Sequence, residues 1–173
     1  MSNSKSQIDL NNISIIGVGL IGSSFALALR KHGFKGRITG VGRNRDNLIK
    51  AKGLGIIDDY STTHAEGARD ADLILLASPV GYFEQIIRDI RNNIKKGAIV
   101  TDVGSVKAGV IKKIVPLIPE GVSFIGGHPI AGKECSGIDA ADAAGDADTA
   151  DLLTEASRIV DKDLWFLQAH LQA

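Results

Sequence analysis

Between Ile13 and Phe124, short apolar runs alternate with longer stretches in which apolar residues recur every three or four positions. Runs of four or five apolar residues suit strands buried on both faces, and the intervening period suits helices with one buried stripe. The pattern predicts strands over residues 13–16, 38–41, 56–58, 73–77, 99–101 and 122–125, the third being the weakest. Helices are expected over 20–32, 45–54, 81–94 and 105–115. The last should end ahead of Pro116, whose ring clashes with the preceding turn. Repeated strand–helix units of this kind build one α/β domain around a doubly wound parallel sheet.

After Ser136 the texture changes. Residues 137–148 are small and acidic and read as a linker. From Thr149, the residues Leu152, Leu153, Ala156, Ile159, Val160, Leu164, Leu167 and Leu171 mark one amphipathic helix. It would run from 149 to 171, about 33 Å at about 1.5 Å per residue, with Asp148 as N-cap. The expected layout is therefore a flexible polar leader over 1–12, a domain over 13–143 and a C-terminal amphipathic helix within 144–173. Leu153, Leu164, Trp165 and Leu167 widen the helix's apolar face, and burying one such side chain is worth about 1.5–3 kcal/mol. A homo-oligomer, most simply a dimer, is expected, the alternative being that the helix packs on its own sheet.

Composition narrows the classes. Among 173 residues, 44% are hydrophobic and 23% charged, with 20 basic and 20 acidic side chains, which suits a folded core rather than disorder. The zero net charge gives no pull toward nucleic acid or an anionic membrane, so neither is expected as a partner. The lone Cys135 excludes an intramolecular disulfide, and no cysteine–histidine spacing suggests a metal site. No run approaches the roughly 18 apolar residues of a membrane span. A cytoplasmic location is expected.

The candidate chemistry begins at Gly17-Val18-Gly19-Leu20-Ile21-Gly22, a GxGxxG motif with a strand before it and a helix after it. In a Rossmann-type sheet, the first glycine makes the tight turn, the second lets the backbone approach a pyrophosphate, and the third lets the helix lie close to the strand. The free amides opening the helix, at Leu20, Ile21 and Gly22, would then face the phosphates. At the end of the second strand an acidic residue would favour NAD, but here Gly42 is followed by Arg43, Asn44 and Arg45. An arginine there can stack on adenine and pair with a 2′-phosphate, which favours NADP over NAD as the cofactor. Ser78 and Pro79, and Asp102 in a later loop, also fall where the sheet's carboxyl edge presents residues to a ligand.

Three stretches in order, GVGLIG, TDVGSVK and GHPIAGKECSG, make residues 13 to 143 resemble the nucleotide-binding domain of prephenate dehydrogenases and their arogenate-using relatives in tyrosine biosynthesis. The resemblance implies oxidative decarboxylation. Hydride leaves the ring carbon bearing the hydroxyl, carbon dioxide is lost and the ring becomes aromatic. It also places a catalytic role on His128, which meets the substrate hydroxyl, and on Ser105, which hydrogen-bonds that histidine. An imidazole with an ordinary pKa near 6.5 can accept such a proton at neutral pH. His32 and His64 read as surface residues, His170 lies near the end of the last helix, Cys135 as a small loop residue, and Lys107 and Lys133 as solvated.

In that family a large helical domain follows and supplies dimer contacts and cations for the substrate carboxylates. The remaining 30 residues cannot build it, so turnover is expected to be impaired more than cofactor binding. The tail is similar to the last helix of the DNA-protecting mini-ferritins of starved bacteria, which implies a chimera with an assembly helix. An ordinary helix closing the nucleotide domain is the alternative. Three functions follow: a dehydrogenase acting on prephenate or arogenate, an inactive dinucleotide-binding scaffold that oligomerises, and an iron-storage role for which the sequence lacks ligands.

Overall fold

The computed structural model describes residues 10–104 and 112–127. Six strands form one sheet: β1 (Asn12–Ile16), β2 (Arg37–Val41), β3 (Asp59–Ser61), β4 (Leu73–Leu76), β5 (Ile99–Asp102) and β6 (Ser123–Ile125). All pairs are parallel and the order is β3-β2-β1-β4-β5-β6, the doubly wound order of the Rossmann fold. Four helices are described in full, α1 (Leu20–Lys31), α2 (Arg45–Gly53), α3 (His64–Gly67) and α4 (Phe83–Ile90), and residues 112–114 are the described end of a further one.

The apolar runs explain why the central strands pair as they do. In β4, Leu73 and Leu75 join one core cluster while Ile74 and Leu76 join the other, so a continuous apolar run feeds both faces of the sheet. Neighbouring β1 does the same with Ile13 and Ile15 on one side and Ile16 on the other. The register sets Ile13 beside Ile38 and Leu73, and Ile15 beside Leu75. The first cluster is closed by Ala26, Leu29 and Leu48 from α1 and α2, the second by Phe83, Ile86, Ile87 and Ile90 from α4.

Several expected boundaries move. The third strand is not at 56–58 but at Asp59–Ser61, because Ile57 goes into the core as a loop residue while Asp58 turns back to accept the Ile38 amide at 2.6 Å. The short helix α3 carries no periodicity long enough to read from sequence, so it was not expected. The helix expected over 81–94 begins as a 3-10 turn at Val80–Tyr82 and continues as α4 only to Ile90. Ahead of Pro116 the chain is helical over 112–114 and passes into a 3-10 turn, Val115–Leu117, where the missing proline amide costs no hydrogen bond, while residues 105–111 of the expected helix lie outside the described residues. Residues 10–12, placed in the leader by the sequence, belong to the domain: Leu10 packs on the core, and the amides of Asn11 and Asn12 donate to Asp72 at 2.8 and 2.7 Å. The linker, the C-terminal helix and the rest of the leader lie outside the described residues. No helix among those residues is long and apolar enough to cross a membrane.

Candidate functional site

Where β1 and β4 lie side by side, their following connections leave in opposite directions along the sheet and open a cleft beyond the carboxyl ends. The cleft holds about 930 Å³. Its floor is the turn after β1. Gly17 adopts φ +111°, and its amide donates to the Val41 carbonyl at 2.8 Å, tying β1 to β2. A Cβ on Gly17 would fall 2.5 Å from the Ala77 carbonyl oxygen, and one on Gly22 would fall 2.2 Å from the Gly17 oxygen. These two glycines are thus required by close backbone approach inside the fold. Gly19 differs: a Cβ there would meet nothing within 4 Å among the described residues. It borders the cleft, so its lack of a side chain leaves room for a guest rather than for the fold.

Helix α1 starts at that point without a capping side chain and without an acidic residue in its first turn. The amides of its first turn therefore keep their hydrogen-bonding capacity and the positive end of the helix dipole is uncompensated, which suits an anion. Helix α2 opens on the same cleft and is closed by its own chain: Asn44 Oδ1 accepts the Asn47 amide at 3.1 Å, with Asp46 in the first turn. Of these two helices, α1 is the one that presents an open amide end to the cleft.

The cleft brings together Gly17, Gly19, Gly42, Arg43, Asn44, Arg45, Ser78 and Pro79 of the residues singled out from sequence. Ser78 fastens the wall, its Oγ donating to the Ile16 carbonyl at 3.1 Å. The Arg43 guanidinium reaches across to the Tyr82 ring, 5.5 Å from its centre. Arg45 sits in the field of Tyr60, which by hydrogen bond and by charge raises its pKa further. Leu20 and Ile21 do not line the cleft with side chains, which are 77% and 51% exposed, so only their backbone can serve it. Gly22 is buried behind the turn.

Asp102 also lies apart from the cleft lining. It is buried at the end of β5, and its Oδ2 accepts the Gly104 amide at 2.8 Å, shaping the loop that follows. Ser105 and His128 lie outside the described residues. Among the described residues no group of acidic, histidine or cysteine side chains could hold a metal ion.

His64, read from the sequence as a surface residue, is partly exposed and has a partner within the cleft wall. His64 lines the cleft at the start of α3, and its Nδ1 lies 2.8 Å from Asp89 Oδ2 on α4. Gln85, also on the cleft wall, donates from Nε2 to the other oxygen, Asp89 Oδ1, at 2.7 Å. The bond from His64 holds the Asp89 carboxyl below the usual carboxylate range. Tyr82, His64 and Gln85 were all missed. Gln85 and Asp89 are four residues apart and could have been paired on a helix face. His64 is 25 residues from Asp89, and no local pattern joins them.

A doubly wound sheet with an uncapped glycine-turn helix opening on its switch point defines a nucleotide-binding domain of the Rossmann type. Residues 25–164 match the family described as prephenate dehydrogenase, nucleotide-binding domain, and the chain belongs to that family. It is 34% identical over 132 residues to prephenate dehydrogenase of Bacillus subtilis (strain 168), covering 76% of this chain and 36% of the relative. It is also similar to the crystal structure of prephenate dehydrogenase from A. aeolicus in complex with hydroxyphenyl propionate and NAD+. That similarity has a TM-score of 0.67 and 39% identity, over 77% of this chain and 46% of the other. The chain thus spans less than half the length of these relatives. A separate stretch of 35 residues, 20% of the chain, is 63% identical to a DNA protection during starvation protein of Agrobacterium fabrum, of which it covers 22%, in line with the resemblance read in the tail.

Proposed function

We propose that this chain is the cofactor-binding part of a dehydrogenase of tyrosine biosynthesis, holding a nicotinamide dinucleotide across the cleft. The observation that carries the proposal is the pairing of open space at Gly19 with an uncapped α1 amide end, a cradle shaped for a diphosphate. The amides of Leu20, Ile21 and Gly22 bind the bridge, while Gly42, Arg43, Asn44 and Arg45 surround the adenosine ribose. Two guanidiniums and no carboxylate following β2 directly support NADP over NAD. When bound, the nicotinamide ring supplies the acceptor for a hydride.

By the family resemblance, His128 takes the proton of the substrate hydroxyl as hydride leaves the same ring carbon, and Ser105 orients the imidazole. Loss of carbon dioxide then returns the bond pair to the ring, which becomes aromatic. The substrate is prephenate or arogenate, whose carboxylates need cationic partners for orientation. The similarity to the B. subtilis enzyme covers 36% of that enzyme, which supports a second reading: a dinucleotide-binding scaffold with little turnover, whose tail helix drives oligomerisation. Titration with NADP and NAD beside steady-state reduction in the presence of prephenate separates the two. Binding with turnover supports the dehydrogenase, binding alone supports the scaffold, and no binding of either dinucleotide overturns both.

A further inference from the structure

The wall of the cleft formed by α3 and α4 carries an arrangement that the glycine turn does not need. Asp89 engages two cleft residues at once, His64 through Oδ2 and Gln85 through Oδ1. A carboxylate only accepts, so each partner must turn a donor toward it. The neutral imidazole therefore carries its proton on Nδ1 and leaves Nε2 as a lone pair. Likewise Gln85 must direct its amide nitrogen to Asp89, which leaves Oε1 as an acceptor and one N–H not used by that bond. One carboxylate thus leaves an acceptor on each of two residues of the cleft wall, the His64 Nε2 lone pair and Gln85 Oε1, beside the second N–H of Gln85.

The start of α3 is built to hold this orientation. Ser61 Oγ lies 2.9 Å and Thr63 Oγ1 3.2 Å from Glu66 Oε2, and the Thr63 amide donates to Ser61 Oγ at 3.0 Å, so the residue before His64 is fixed from both sides. The His64 side chain is 28% exposed. In a doubly wound sheet the first half, β1 to β3, receives the adenosine portion of a dinucleotide, the ribose at the end of β2 and the base beyond it. His64 follows β3 and Gln85 follows the turn that carries Tyr82, so both stand at the base end of the cleft.

On the reading of the cleft as a dinucleotide site, we propose that His64 and Gln85, positioned by Asp89, select adenine by accepting hydrogen bonds from its exocyclic amino group. A purine with a carbonyl at that carbon sets an oxygen lone pair against two further lone pairs and is disfavoured. His64 and Gln85 touch the base, whereas Asp89 is a positioning residue that acts through them.

The test is equilibrium binding at pH 8 to the full chain, comparing NAD with its hypoxanthine analogue and NADP with the corresponding analogue. Wild type is expected to hold the adenine form about tenfold more tightly in whichever pair binds. His64→Phe keeps a ring on the wall but removes the acceptor, and should bring the ratio down to about twofold. Asp89→Asn gives a sharper readout. Gln85 still donates to the Asn oxygen, so the new amide faces His64 as a donor and moves the ring proton to Nε2. The ratio should then fall below that of His64→Phe, with the hypoxanthine form gaining in absolute affinity, which mere loosening of the wall would not produce. Equal binding of the two bases by wild type, or an unchanged ratio in both variants, overturns the inference while leaving the dinucleotide reading intact. Absence of binding for all four compounds overturns the dinucleotide reading, and the inference with it.

Discussion

Arg43 and Tyr82 meet across the mouth of the cleft, guanidinium carbon to ring centre 5.5 Å, although one follows β2 and the other ends the turn after β4. The contact joins the two sides of the switch point. A planar base entering here must stack on one partner or part them, and either partner can make that exchange, because a guanidinium and a phenol ring both offer flat faces.

Arg43→Ala should therefore weaken NADP binding about tenfold, through loss of both stacking and the 2′-phosphate partner, and NAD binding by about threefold. Dissociation constants for both dinucleotides on wild type and variant check this. Equal affinities untouched by the substitution would remove the argument for NADP.

The three glycines of the turn should separate by phenotype. Gly17→Ala forces a side chain to φ +111° and within 2.5 Å of the Ala77 carbonyl, so it should lower stability by about 2 kcal/mol or more in urea titrations. Gly19→Ala meets nothing within 4 Å among the described residues and should melt like wild type. Its methyl group occupies the cradle, so dinucleotide affinity should fall at least about tenfold.

Ser14 lies in the middle of β1, 1% exposed, and its Oγ finds no hydrogen-bond partner among the described residues. Its burial is a cost with no return in the sheet. Ser14→Ala should be neutral or stabilising by up to about 1 kcal/mol, measured by thermal melting. A loss of more than about 1 kcal/mol would show that the hydroxyl has a partner.

Asp72 clasps the start of β1 through the Asn11 and Asn12 amides and binds the Lys95 ammonium. Burial pushes its carboxyl up, but Lys95 and the two amides outweigh this and hold it below the usual carboxylate range. A depressed native pKa means that the ionised form stabilises the fold above the unfolded value near 3.9, and that this contribution is lost as pH falls through the lower native value. Asp72→Asn should cost about 1–3 kcal/mol at pH 7, and the gap to wild type should close below about pH 4, as followed by urea titrations across that range.

Much of the fold could be read along the chain because the informative residues are neighbours there. The runs at β1 and β4, buried on both faces, announce themselves, and so does a glycine turn between a strand and a helix. The stretch of Arg43, Asn44 and Arg45 after β2 could also be read directly, and all three line the cleft. By contrast, β3 has three residues and α3 has four, too few to show a period, and both were misplaced or missed.

The order of hydrophobic and polar residues alone determined the class of fold, five of the six strands and the place of the glycine turn, since these depend on local periodicity and on backbone freedom at single positions. Tertiary structure decided which glycine serves the fold and which leaves room for a guest, because that depends on what lies opposite: Ala77 faces Gly17, and nothing among the described residues faces Gly19. It also gave the partly exposed His64 a partner in Asp89, and it buried Asp102 at the end of β5. A side chain's hydrogen bonds depend on distance in space, and the sheet's crossovers bring together residues that the chain holds 25 or more positions apart.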